Sequence, residues 1–209
     1  MPILRKLEIS NFRGIQALSW KPSPGINALI GPGDSCKSTI LDAIDWCLGA
    51  RRSLPVGESD FFLLDTTKAI TIIATVGHLA DELKSLSRYG EYLKGFNLAD
   101  GTIHDEPGLG LDVVLQLALR IEQDLEPQWY VLPRSSSTDL PIESLPRLPW
   151  SHRQLLSPSR IGSNSSHNLS WRRDSALAKL SSEEVSASDV LADALRNASS
   201  LSDLTSRMR

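Results

Sequence analysis

Residues 26–48 read INALI, GPGDSCKST, ILDAIDWCL, and this stretch decides the fold. Ile26 to Ile30 is a short apolar run bounded by glycines, which predicts a buried strand. Gly31 to Thr39 follows with no spacer. Ile40, Leu41, Ile44, Cys47 and Leu48 then repeat along one face of an amphipathic helix that Gly49 stops. A strand, a glycine-bearing loop and a helix form the context in which a loop can hold phosphate. Backbone N–H groups converge on the phosphate oxygens, a lysine reaches the β/γ-phosphates, and a hydroxyl ligates Mg²⁺. The helix N-terminus adds partial positive charge.

The usual spacing is Gly, four residues, then Gly-Lys-Ser/Thr. Gly31, Lys37 and Ser38 fall into that register, and Cys36 stands where the second glycine belongs. A cysteine there adds a Cβ and costs about 1 kcal/mol or more if φ is positive. Gly33 keeps the loop adaptable, so the expected effect is weaker binding rather than none. The competing reading is an ordinary Gly/Pro turn with Ser38 as a helix cap. A thiol beside a lysine at a helix N-terminus is also a candidate reactive group.

Working outward, Ile3 to Ile9 alternates as a strand and ends at Asn11-Phe12-Arg13-Gly14, where Gly14 marks a turn. Ile15 to Trp20 predicts a second strand. Lys68 to Val76 predicts another, rich in Ile and Thr. Leu79, Leu83, Leu86 and Leu93 keep helical spacing between His78 and Lys94. LDVVLQLALRI at 111–121 fits strand or helix, and its alternation favours strand. Sixteen of the 29 serines lie after residue 150, so the core-forming material is concentrated earlier. The organisation expected is a lobe over residues 1–132 and a Ser/Pro-rich loop and helical segment over 133–209. Ser181 and Glu184 are spaced as a capping box for a helix through Leu195.

The N-terminal segment ILRKLEISNFRGIQ, the loop and STILDAID together resemble the head of RecF/SMC-class ABC-type ATPases. Within that class the chain resembles the OLD (overcoming lysogenization defect) family of ATP-dependent endonucleases. DFF at 60–62, ADELKSLSRYGEYLKGF, DEPGLGLDVVLQLAL, LEPQW at 125–129, SPSRIG and HNLSWRRDSALAKLS carry the same likeness, which covers most of residues 3–200. The fold it implies is α/β, a P-loop NTPase with a mixed parallel and antiparallel sheet. The cofactors it implies are ATP and Mg²⁺. By position, Lys37 would meet the β/γ-phosphates, Ser38 would hold Mg²⁺ and Thr39 would meet the α-phosphate. Gly31, Gly33, Asp34, Ser35 and Cys36 would form the cradle. Arg13 matches a basic position that reaches nucleotide, against the alternative of a solvated turn residue. Asp42 and Asp45, on the following helix, are expected to be solvated.

The other parts of such an ATPase do not read out. No aliphatic run ends in Asp-Glu as a Walker B strand does. Asp81-Glu82 reads as an exposed pair, and the approach to Asp105-Glu106 is too short. Leu180-Ser181-Ser182-Glu183 only faintly resembles a signature motif. Gln116 and Gln123 are glutamine-loop candidates by residue type alone. The carboxylate cluster of a Toprim nuclease domain is not found. The catalytic residues are therefore unassigned, and binding is expected rather than hydrolysis by these residues alone. A partner ATPase head or self-association would complete the site, with DNA contacted through further regions. The alternative is a non-catalytic interaction module that keeps the fold. A transporter ATPase fits poorly, since such cassettes carry all the motifs.

Composition bounds the rest. The formal net charge of −3 argues against a wholly basic nucleic-acid coat but leaves room for a local patch. Arg153, Arg160, Arg172 and Arg173 are a candidate phosphate-contacting stretch or a solvated loop. The five tryptophans read as core or interface anchors. His78, His104, His152 and His167 show no metal-ligand spacing. Cys36 and Cys47 make neither a disulfide framework nor a four-ligand zinc site, which fits a reducing, cytoplasmic setting. No apolar run approaches the roughly 20 residues of a membrane span.

Overall fold

The structure is a computed structural model that describes residues 2–51, 53–134 and 145–160. Ser159 and Arg160 excepted, these belong to one compact unit, Met1–Pro158. The helix expected after Ser181, and Trp171, Arg172, Arg173 and His167, lie outside the described residues.

Strand β1 (Ile3–Phe12) and strand β2 (Ile15–Trp20) form an antiparallel hairpin. Its turn is Arg13-Gly14, and Phe12 faces Ile15 across it. The other edge of β1 pairs antiparallel with β3 (Ile70–Gly77), with Leu7 opposite Ala74. Beyond β3 lies β6 (Asp112–Ile121), which settles the ambiguous 111–121 run as strand. Its six central residues, Val114 to Leu119, are buried. The free edge of β6 is shared by β4 (Lys94–Phe96) at its start and β7 (Pro127–Val131) at its end. The short β5 (Ile103–His104) pairs with β4.

Every one of these pairings is antiparallel, which corrects the expected mixed sheet. The reason lies in residues 26–30. A parallel core needs that run as a strand with a neighbour on its edge. Among the described residues nothing pairs with it, so Ile26 and Ile30 are 99% and 91% exposed. Its local order comes from Asn27, which accepts from Ser23 N–H at 2.8 Å and donates to the carbonyls of Ser23 and Gly25.

Helix α1 (Lys37–Leu48) lies over β1, β3 and β6. Ala43 and Cys47, one turn apart, are both fully buried. Small side chains let the helix approach closely enough for the Cys47 thiol to donate to the carbonyls of Ile72 and Leu117, at 3.6 and 3.4 Å. Burial pushes that thiol's pKa up to about 12. Trp46 packs on Phe12 with ring centroids 5.1 Å apart. Each large apolar side chain buried here stabilises the unit by about 1.5–3 kcal/mol.

The helix expected between His78 and Lys94 is not continuous. A 3-10 turn (Asp81–Leu83) and the single-turn α2 (Leu86–Tyr89) flank Ser85, whose ψ of 112° ends the hydrogen-bond ladder. Leu79, Leu83 and Leu93 still reach the core, each from its own short segment. Helix α3 (Trp150–Leu156) returns to the same core through Leu156, and Leu148 just before it joins there too.

Candidate functional site

The loop between residue 30 and α1 bounds a cleft of about 700 Å³. Asp34, Ser35, Cys36, Lys37, Ser38 and Thr39 all line it, and Gly14 of the hairpin turn joins them. Ser38 is exposed and Thr39 is buried at the wall. Gly31 and Gly33 belong to the loop without lining the cleft.

The lysine is folded onto its own loop. Lys37 Nζ donates to the carbonyl of Gly31 at 2.9 Å, to that of Pro32 at 2.5 Å and to Ser35 Oγ at 2.8 Å. Ser35 Oγ in turn donates to the Pro32 carbonyl at 2.9 Å. A Cβ on Gly31 would stand 2.8 Å from Ser35 Oγ, so any larger residue there would displace that hydroxyl.

The backbone carries the strain foreseen at position 36. Cys36 is the N-cap of α1 with φ 58° and ψ 17°, and Asp34 also has φ 58°. Ser35 between them has no positive φ. Such alternation turns consecutive N–H groups toward one concavity, the anion-binding nest. Cys36 is the N-cap and no side chain caps the helix, so Ser38 is not its cap. Among the described residues, the N–H groups of Gly33, Asp34, Cys36, Lys37, Ser38 and Thr39 donate to no backbone or side-chain acceptor, while Ser35 closes the turn over Gly33-Asp34. A phosphate would find several donors at a helix N-terminus without breaking a backbone bond.

Arg13 is placed differently. Its guanidinium donates through Nε to Asp60 Oδ1 at 2.8 Å and through Nη1 to Asp42 Oδ2 at 2.5 Å. It also lies over the rings of Phe12 and Trp46, at 4.9 and 5.3 Å. Burial works against its charge, but hydrogen bonding and attraction from Asp60 and Asp42 outweigh that and raise its pKa. Arg13 does not line the cleft. It ties the hairpin turn to α1 and to the 3-10 turn at Glu58–Asp60, and so sets Gly14 against the loop. Asp42 and Asp45, expected to be solvated, are ion-paired, Asp42 with Arg13 and Asp45 with Arg51. The reason is local: cations from the turn and from the helix end fold back onto α1.

Two features escaped the sequence reading. Asp60 was visible only as the first letter of DFF. The contact of Gly14 with Cys36 carries no sequence signal, because it joins residues 22 apart through space. Gln116 is buried mid-strand, accepting from Lys94 Nζ at 2.7 Å and donating to Thr75 Oγ1, and it does not line the cleft. Asp81 is exposed and pairs with Lys84.

Residues 6–91 match the family model described as an AAA domain. The RecF DNA replication and repair protein of Chlorobium luteolum is 27% identical over 111 residues, 48% of this chain and 30% of its own. The OLD nuclease of Thermus scotoductus is 38% identical over 74 residues, 34% of this chain and 14% of its own. The RecF protein of Saccharophagus degradans is 36% identical over 76 residues, 36% of this chain and 20% of its own. The chain thus spans less than a third of the length of these curated relatives. A solved structure from work on ATP-driven dimerization and DNA-stimulated activation of SMC ATPases aligns with 89% of this chain and 93% of its own, at 16% identity and a TM-score of 0.44. RecF and OLD names both occur among the relatives of this AAA-type segment, so the likeness is to the wider RecF-like ATPase class rather than to the OLD branch in particular.

Proposed function

We propose that residues 31–39 bind ATP with Mg²⁺, and that the chain is the nucleotide-binding part of an OLD/RecF-like DNA-processing ATPase. The observation that carries this reading is Lys37 Nζ held by three loop oxygens at a helix N-terminus, beside N–H groups with no acceptor. Lys37 would exchange those oxygens for the β/γ-phosphates, and Ser38 would hold Mg²⁺. Thr39 would meet the α-phosphate, with Gly31, Gly33, Asp34, Ser35 and Cys36 as the cradle. The nucleotide would supply a phosphoanhydride bond. No residue here is assigned to cleave it.

DNA is the proposed partner class because the RecF relatives are DNA replication and repair proteins. Self-association, or a partner head, would cover exposed Ile26, Ile30 and Leu41. Two free thiols suit the cytoplasm. The testing experiment is calorimetric titration of ATP with Mg²⁺ into the wild type and Lys37→Ala. Binding weakened by about tenfold or more in the variant supports the reading, in line with loss of a charge-assisted hydrogen bond. Equal affinity would sink it.

A second reading, a P-loop fold that holds no nucleotide, draws on left-handed Cys36 and on Lys37 already being engaged by its own loop. If the wild type binds no ATP and Cys36→Gly does, the second reading gains.

A further inference from the structure

A second cleft, of about 340 Å³, lies where the end of α1, β7 and α3 meet. Arg51, Arg147 and Arg153 line it together with Trp129 and Trp150, and among the described residues none of its lining is acidic. Arg153 is only 6% exposed. It donates to the carbonyls of Gly49 at 2.7 Å and Arg51 at 3.1 Å, and its guanidinium carbon sits 4.1 Å from the centre of the Trp129 ring. These contacts cap the end of α1 but bring no counter-charge. Its Nε is buried with no hydrogen-bond partner. Arg153 therefore keeps a positive charge with no carboxylate beside it among the described residues, behind a tryptophan that lines the cleft. Arg51 shares its charge with Asp45, whereas exposed Arg147 has no ion pair among the described residues.

A buried cation with no counter-ion is costly, and an anion in the cleft would offset that cost. The chemistry of the ligand follows from the walls. Arginine pairs with planar or tetrahedral oxyanions through forked hydrogen bonds. Tryptophan offers a face on which a ring can stack. The volume sits at the lower end of small-ligand clefts, roughly 300–1,000 Å³, which suits one ring and one oxyanion group rather than a duplex.

We propose that Arg51, Arg147, Arg153, Trp129 and Trp150 form a binding site for a single nucleotide unit, its phosphate on the arginines and its base on a tryptophan, separate from the phosphate loop. Arg147 and Arg51 meet the phosphate directly. Arg153, shut off from solvent at Nε, supplies field and holds Trp129. The site does not depend on the loop binding ATP, and it needs no Mg²⁺.

The test titrates dTMP, inorganic phosphate and a short single-stranded oligothymidylate into the full chain without Mg²⁺, followed by calorimetry. Saturable dTMP binding is expected, retained in Lys37→Ala and weakened by about tenfold or more in Arg147→Ala and in Trp150→Leu. Phosphate alone should bind more weakly than dTMP. An oligonucleotide much tighter than dTMP assigns the unit to a strand, and equal affinity assigns it to a free nucleotide. Both outcomes uphold the site. The proposal is overturned by no saturable binding at millimolar dTMP, by phosphate binding as tightly as dTMP, or by Lys37→Ala rather than Arg147→Ala abolishing the signal. Arg147 is exposed, so its loss should leave the fold intact, and a circular-dichroism melt of each variant verifies that.

Discussion

Gly14 and Cys36 meet at the base of the loop: a Cβ on Gly14 would stand 2.6 Å from Cys36 Sγ. Gly14 has no positive φ, so the need for glycine is spatial rather than conformational. Gly14→Ala is expected to destabilise the fold by about 1–3 kcal/mol through overpacking. Adding Cys36→Gly should restore most of that. Urea denaturation of the two single variants and the double variant measures the coupling, and a double variant as unstable as Gly14→Ala would refute the contact.

Cys36→Gly alone should tighten nucleotide binding. At φ 58° the cysteine holds a conformation that glycine adopts freely. Relief of about 1 kcal/mol, if realised on binding, gives roughly fivefold in affinity. Calorimetric titration with ATP and Mg²⁺ reads it out, and an unchanged constant would mean that the strain is not felt by the ligand.

Arg13 is expected to act on stability. Arg13→Met keeps an apolar stem beside Phe12 and Trp46 but removes the guanidinium donor from Asp42 and Asp60. The cost should be about 1.5–3 kcal/mol, typical of a hydrogen bond to a charged group. A double-mutant cycle with Asp60→Asn should return a coupling of about 0.5–3 kcal/mol, and a coupling of zero would mean that the pair contributes nothing. If ATP affinity falls in Arg13→Met at full stability, Arg13 touches the nucleotide after all.

Cys47 sets a pH dependence. Burial lifts its folded pKa to about 12, above the ordinary thiol value of 9.0. Its contribution is fully present below the unfolded value and is lost as pH rises through the window from 9.0 to about 12, where only the unfolded chain gives up the proton. The fall approaches about 1.4 kcal/mol per pH unit inside that window. Cys47→Ala should lose that component of the slope, read as a shallower fall of urea midpoint between pH 9 and 10. A thiol reagent at pH 8 should modify Cys36, which is half-buried, long before Cys47. Equal rates would contradict the burial of Cys47.

How much could be read beforehand varied with how local the information was. The hairpin of β1 and β2, the strands β3 and β6 and helix α1 all follow from alternation and helical spacing within single segments. Residues 26–30 misled because an apolar run specifies only that burial is favourable, whereas a strand also needs a neighbour for its N–H and C=O groups. The leucines from 79 to 93 misled for the opposite reason. Their spacing suits one helix face, yet Leu79, Leu83 and Leu93 are buried from separate short segments and Leu86 is exposed, because the backbone at Ser85 leaves the helical region. At the site, the loop's spacing and the strain at Cys36 were legible in nine residues. The Arg13 clamp was not, since Asp42 and Asp60 become its partners only when three elements converge.

The unpaired run at 26–30 makes the cleft asymmetric. One wall is α1, riveted to the sheet by Cys47, Trp46 and the Arg13 clamp. The opposite wall includes Asn27 and Leu29, from a run that pairs with no strand among the described residues. Whatever seats itself among the loop's N–H groups meets one wall packed on the sheet and one that no neighbouring strand holds.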